Sequence, residues 1–237
     1  NTHQQDIFEE SIVISLIEID QEVFAVNSFD GNQLSSEELG NKIGNYAKGI
    51  CDEPSILLLA SGLDTDGQAL VEGIRDSSRP DIPIFGGLAG DDAKFEETWV
   101  FTNEGLKNKG AAVIILDRQK VNISGIAVSG WAAIGADKTV TESSGNIVYT
   151  INGMPALDVY KNNLNVTDDD LPEIGIEYPL LIKKEGRDII RAVVGVDREK
   201  KALIFAGTVP AGSTVSLSSS PGFEVIDFTK RHIKEFH

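Results

Sequence analysis

The sequence is poor in several residue types, and each shortage excludes something. Among 237 residues there are one cysteine, one methionine, two tryptophans and three histidines. A single thiol, Cys51, rules out an intramolecular disulfide and a cysteine-based metal cluster within one chain. It reads instead as a small buried hydrophobe, which suits a reducing compartment. The histidines are His3, His232 and His237, all near the chain ends. None is placed to serve as the base of a Ser–His–Asp arrangement or as a fixed axial ligand of haem. Long apolar runs are missing too. The longest, at 56–60 and 111–116, are strand-sized, against the roughly 20 residues of a membrane span. The opening NTHQQDIFEE has neither a basic start nor an apolar core, so no export signal is expected and the compartment is expected to be cytoplasmic. Met154 is the only methionine, so the sequence reads as a piece of a longer protein.

Positive charge is also scarce. Lysine and arginine number 21 against 37 acids, a formal net charge of −16. Residues 1–70 alone hold 13 acids and 2 bases. No basic stripe is available to neutralise phosphates, which argues against nucleic acid and against anionic membrane surfaces as partners. An acidic surface of this kind aids solubility.

What is present is 41% hydrophobic residues and 23 glycines, the profile of a strand-rich mixed fold. Residues 11–19 (SIVISLIEI) predict a buried strand, and 22–28 a second strand paired with it as a hairpin. Ser35 and Glu38 have capping-box spacing, so a helix is predicted to about Ile50, with Leu39, Ile43, Tyr46, Ala47 and Ile50 at helical intervals. A strand at 55–60, a helix at 68–76 and a short strand at 82–85 ending at a glycine pair complete a strand–helix layer. Strands are then predicted at 98–102, 110–116, 121–128, 138–141 and 146–151, a largely antiparallel meander continuing the same sheet. A short helix opens near Pro155, where a first turn tolerates proline. Residues 161–175 read as a polar surface connection or a short helix, the candidate mobile element. Strands at 178–182, 189–196, 202–206 and 213–217 and a helix at 224–236 follow. The fold class is α/β, mixed, with a smaller β-rich second part. The division is placed at 1–152 and 153–237.

The most informative stretch is PIFGGLAGDD, residues 83–92. A strand running into Gly86 and Gly87, then Gly90, Asp91 and Asp92, permits positive φ and close backbone approach. Successive N–H groups in such a turn can hold an anion, while the acids can accept from an amine or close the turn locally. It lacks the Gly-Lys-Ser/Thr of a P-loop and the G-x-G-x-x-G of a dinucleotide fingerprint. Asp64 and Asp66 precede a helix and read as its caps. Ser61 has no G-x-S-x-G context, and adjacent Asp91 and Asp92 point to opposite sides of an extended chain. A metal held by Asp64, Asp66, Asp91 and Asp92 is a further alternative.

At this point the sequence resembles a known family. PIFGGLAGDD with Phe95, Thr98 and a Trp-Val-Phe strand, GAAVIIL at 110–116, SGWAAIG at 129–135, Thr139-Val140-Thr141, Gly145-Asn146, INGMPALDVY at 151–160 and VPAG at 209–212 resemble, in order, segments of FIST sensory domains. Asn152 stands where the family usually has aspartate, and Ala211 where it often has glutamate. The resemblance implies that a first strand–helix unit and the final strands lie outside this sequence. It also implies a sensory module attached to a histidine kinase, a diguanylate cyclase or a chemotaxis receptor. Such a module is expected to bind a small ligand such as an amino acid, or in some members haem for gas sensing.

A zwitterionic ligand needs N–H donors for its carboxylate and acids for its ammonium group. Gly86, Gly87 and Gly90 offer the first, and Asp91 and Asp92 the second. Trp131 offers an apolar or cation–π face, and Tyr160 a phenol, each with core packing as its plainer role. No cofactor, metal or catalytic residue is assigned. The competing expectations are a cryptic hydrolytic or metal-dependent enzyme and a protein-interaction module without a small ligand.

Overall fold

The computed structural model describes residues 2–3, 6–7, 12, 14–92, 94, 96–127, 129–184, 188–220, 222 and 224–236. Phe95, Val128 and His237 lie outside the described residues. The chain divides into two compact units. One holds Asn1–Thr65 and Val71–Ile123, the other Asp66–Leu70 and Ser124–His237.

The first unit opens with a small antiparallel pair, β1 (Thr2–His3) and β2 (Asp6–Ile7). After a 3-10 turn at Gln21–Val23 come β3 (Phe24–Asp30), α1 (Ser36–Ile50) and β4 (Pro54–Ala60). Then follow α2 (Gly67–Ser77), β5 (Ile84–Leu88), β6 (Val100–Thr102), β7 (Gly105–Lys107) and β8 (Gly110–Asp117). The α1 capping box forms as its sequence predicts. Glu38 N–H donates to Ser35 Oγ at 3.1 Å, and Ser35 N–H donates to Glu38 Oε2 at 2.8 Å. Leu39, Ile43 and Ala47 of α1 and Leu70 and Ile74 of α2 are buried. Gly44 lets the two helices touch, because a methyl there would collide with the Ile74 carbonyl and the Ser77 hydroxyl.

Four strands form the main sheet in the order β3-β8-β4-β5. β4 and β5 are parallel, joined through α2, while β8 returns antiparallel between β3 and β4. The hairpin expected from 11–19 and 22–28 is not formed. β3 spends seven residues on a continuous ladder with β8 instead. Among the described residues of 11–19 there is no strand, and Ile12, Ile14, Leu16 and Ile17 are 77–94% exposed. Apolar β-branched residues identify a strand former but do not choose its partner. β8, with Ala111, Val113 and Ile115 buried, offers β3 a core-facing ladder. β6 and β7 form a separate hairpin. Residues 121–127 carry no strand either, so the expected meander stops at β8.

The second unit contains β9 (Ala132–Ser144), β10 (Ile147–Ile151), β11 (Met154–Pro155), α3 (Ala156–Leu164) and α4 (Glu173–Glu177). It continues with β12 (Leu180–Ile182), β13 (Ile189–Arg191), β14 (Val193–Asp197), β15 (Ala202–Phe205), β16 (Thr214–Ser219) and α5 (Glu224–Phe236). Its sheet runs β13-β12-β16-β9-β10-β15-β14, every pair antiparallel, with β11 added to β10. So β9 and β10 found a new sheet rather than continuing the first. β9 is long enough to serve both neighbours: residues 132–139 pair with β16 and 140–144 with β10. The core gathers Val140, Ile151, Leu157, Tyr160, Leu203 and Phe205.

At the turn after β10, Asn152 adopts φ +50°. Its Oδ1 accepts from Thr139 N–H at 2.7 Å. An amide oxygen does there what a carboxylate would do, and asparagine tolerates the left-handed region. The polar stretch after α3 is stitched down. Lys161 bridges Asp168 at 2.7 Å, Thr167 N–H and Oγ1 both donate to Asp170, and Leu171 is buried. Bonding to Lys161 holds the Asp168 carboxyl below the usual range, and the Thr167 hydrogen bonds do the same for Asp170.

Candidate functional site

The glycine-rich segment lies at the C-terminal ends of the parallel pair β4–β5. Gly86 and Gly87 are inside β5, paired with Leu58 and Leu59, rather than in a turn beyond it. Gly86 has φ +137°, and a Cβ there would overlap the backbone of Leu58. The glycine is therefore set by the close approach of the two strands. Gly87 and Gly90 differ, since nothing lies within 4 Å of where their Cβ atoms would be.

Beyond β5 the chain is tied to β4 by Ala89 N–H donating to Ala60 O at 2.8 Å. Asp91 closes the turn. Its Oδ2 accepts from Glu96 N–H at 2.7 Å, and its carbonyl accepts from Lys94 N–H at 3.2 Å. Asp92 follows at φ +56° with its side chain exposed. The local surface combines open backbone at Gly87 and Gly90 with two carboxylates, one fixed and one presented to solvent.

The neighbouring loop after β4 is occupied with holding itself together. Ser61 is fully buried. Its Oγ accepts from Gly110 N–H at 3.0 Å and lies within hydrogen-bond distance of Gly110 O and Thr65 Oγ1. Gly62 N–H donates to Thr98 Oγ1 at 2.7 Å, and Thr98 is itself buried. A hydroxyl committed this way, with no imidazole beside it among the described residues, lacks the base that activates a serine nucleophile.

Asp66 caps α2 as expected, accepting from Gln68 N–H at 2.9 Å and Ala69 N–H at 3.1 Å. The structure adds what spacing does not reveal. In the second unit, Thr208 Oγ1 donates to Asp66 Oδ2 at 3.2 Å, and Arg191 Nη2 donates to Gln68 Oε1 at 2.8 Å. Arg191 also donates from Nε to Thr208 O and from Nη1 to Ile190 O. Desolvation lowers its proton affinity, with Asp66 opposing. The only sequence signal for this cluster is a lone arginine within an apolar strand.

Trp131 and Tyr160 also belong to the second unit and serve different places there. Trp131 sits just before β9, about one-third exposed, with Nε1 donating to Glu177 O at 3.1 Å. Tyr160 of α3 is fully buried, edge-on to Phe205 with ring centroids 6.3 Å apart. Its hydroxyl meets no hydrogen-bond partner among the described residues, and burial raises its proton affinity.

His232 stacks against Phe228 on α5, with Nδ1 2.9 Å from the Phe228 carbonyl oxygen. Cys51 caps the C-terminus of α1, and Met154 is exposed. This donor set does not favour haem, which needs a fixed ligand over an apolar pocket. Among the described residues no three His, Cys, Asp or Glu side chains group as metal ligands. Nor is any helix long and apolar enough to cross a membrane.

A family model described as the FIST N domain matches residues 2–154, and one described as the FIST C domain matches residues 156–235. Neither the curated proteins nor the solved structures gave a match.

Proposed function

The chain belongs to the FIST family of sensory domains of signal-transduction proteins, and we propose that it binds a small ligand, an amino acid or related metabolite, at residues 86–92. In this reading, Gly87 and Gly90 let a ligand carboxylate reach backbone N–H groups, while Asp91 and Asp92 receive its ammonium group. Gly86 builds the platform without touching the ligand. The observation that carries the reading is position. The segment spans the C-terminal end of β5, beside that of its parallel partner β4, and the turn beyond it, where open α/β sheets bind ligands, and it leaves open space at two glycines near a presented carboxylate. Trp131 is a separate candidate contact in the second unit, its indole anchored through Glu177. Tyr160 we assign to the core.

The family is sensory rather than typically enzymatic, and Ser61 and Asp66 are engaged in hydrogen bonds that hold loops and helix in place. Binding becomes a signal only if the ligand prefers one conformation of the domain. The receiver is a histidine kinase, diguanylate cyclase or chemotaxis module carried elsewhere in the signalling protein, with the domain in the cytoplasm.

A thermal-shift screen of amino acids and small metabolites tests the reading. A binder at 100 times its Kd adds about 2.7 kcal/mol to stability. The stabilising compound should lose its effect on Asp92→Ala while the variant's own melting temperature stays close to wild type. A compound whose shift survives both Asp92→Ala and Asp91→Ala, or no stabilising compound at all, overturns it.

A further inference from the structure

We propose that α5 of one chain docks on the open face of the β3-β8-β4-β5 sheet of a second copy, closing a two-fold dimer. The sheet has two unequal faces. On the helix-covered one, Ile56, Leu58, Val113 and Ile115 are at most 6% exposed. On the other, Val26 is 45% and Leu59 51% exposed, with Phe24, Leu57, Ile114 and Leu116 half-buried beside them. The register places these on one side, Val26 opposite Ile114 and Leu57 opposite Ile114 from the other edge.

In the second unit α5 has the complementary shortage. Ile226, Phe228 and Ile233 are 36–46% exposed, although Val225 rests on Gly130. Thirteen residues are too few for a helix to hold itself in water without packing.

Charge selects this helix as the occupant. At the sheet end where β3 and β4 begin and β8 stops stand Glu22, Asp52, Glu53 and Asp117, against Arg118 and Lys120. The last two turns of α5 carry Lys230, Arg231 and Lys234 against Glu235, while its acids Glu224 and Asp227 sit in the first turn. The helix is about 20 Å long, close to the roughly 23 Å of the seven-residue strands β3 and β4, and laid along them it places its basic half over the acidic end. Other exposed apolar groups carry acid with them: Ile12, Ile14, Leu16 and Ile17 lead into Glu18 and Asp20, and Trp99, Phe101 and Leu106 stand beside Glu96, Glu97 and Glu104 against Lys107 and Lys109, so either would bring like charge to that end. In such a dimer each chain supplies one face and one helix.

Sedimentation velocity over a range of protein and salt concentrations tests this. The expected result is a dimer that weakens with salt. Its Kd should rise at least tenfold with Ile233→Glu or with Leu59→Glu, while circular dichroism stays unchanged. Lys230→Glu with Lys234→Glu should weaken it as well, and adding Asp52→Lys with Glu53→Lys should restore it. In a Cys51→Ser background, Leu59→Cys with Ile233→Cys should oxidise to a covalent dimer. The proposal is overturned by a monomer at every concentration, by a dimer indifferent to these substitutions, or by a dimer that disperses only when residues 1–19 are deleted.

Discussion

Replacing Gly86 and Gly87 one at a time by alanine separates the architectural glycine from the one offered to a ligand. At Gly86 two penalties add. The backbone stands at φ +137°, a region side chains rarely enter, which costs of the order of 1–3 kcal/mol. The new Cβ would also lie 2.7 Å from the Leu58 carbonyl carbon and 3.0 Å from its nitrogen. Neither atom can retreat without opening the β4–β5 ladder, which runs in unbroken register from Ile56 to Ala60. The expected loss is about 3 kcal/mol or more, a large share of a typical 5–15 kcal/mol. For a chain of this length that is a fall of about 6–12 °C in Tm. Gly87→Ala meets open space and should stay within about 0.5 kcal/mol of wild type. Urea unfolding followed by circular dichroism measures both variants. If Gly86→Ala unfolds within 0.5 kcal/mol of wild type, the close approach of β5 to β4 is wrongly drawn. If Gly87→Ala costs as much as Gly86→Ala, the distinction between the two glycines fails.

Tyr160→Phe should leave stability at neutral pH unchanged or raise it by up to about 1 kcal/mol, because it removes a buried hydroxyl without a partner. Burial raises the folded-state pKa, whereas the unfolded phenol ionises near about 10. Wild-type stability should therefore decline as pH rises above that value, and the phenylalanine variant should decline less. A variant destabilised by more than 1 kcal/mol in urea would show instead that the hydroxyl is bonded. Ser35→Ala should cost about 1 kcal/mol by chemical denaturation, since it removes the N-cap acceptor of α1. Cys51 should alkylate slowly with iodoacetamide at pH 8, because burial first and Asp117 second hold its thiol protonated, and Asp117→Asn should quicken the reaction.

Local signals were readable wherever a residue's neighbours in sequence are also its neighbours in space. The Ser35–Glu38 box starts α1 one residue later, and the spacing of Leu39, Ile43 and Ala47 gives its buried face. Residues 224–236 form α5 along the predicted span. The failures concern choices made at long range. Residues 11–19 have strand composition, yet β3 takes a partner 80 or more positions away because β8 brings a buried face with it. The glycine pair at 86–87 looks like punctuation between elements. In fact β5 runs through it, since what requires Gly86 is the Leu58 backbone, a contact invisible along the chain.

The same division governs the candidate site. Ser61, Asp66 and Asp91 are chemically suggestive in sequence, yet all three already carry hydrogen bonds, Asp91 through one carboxylate oxygen. Ser61 binds Gly110 across 49 positions, Asp66 binds Thr208 across 142 positions, and Asp91 binds the amide of Glu96. A polar residue type tells what a side chain can do but not whether its lone pairs are already used. What sets Asp92 apart is the absence of such a partner among the described residues, together with a left-handed backbone that turns it outward beside the open Gly90. Hydrogen bonding thus occupies Asp66 and one oxygen of Asp91 and leaves Asp64 and Asp92 exposed, and of these two only Asp92 lies in the glycine-rich segment. Asp92→Ala is for that reason the substitution on which the sensory reading most directly depends.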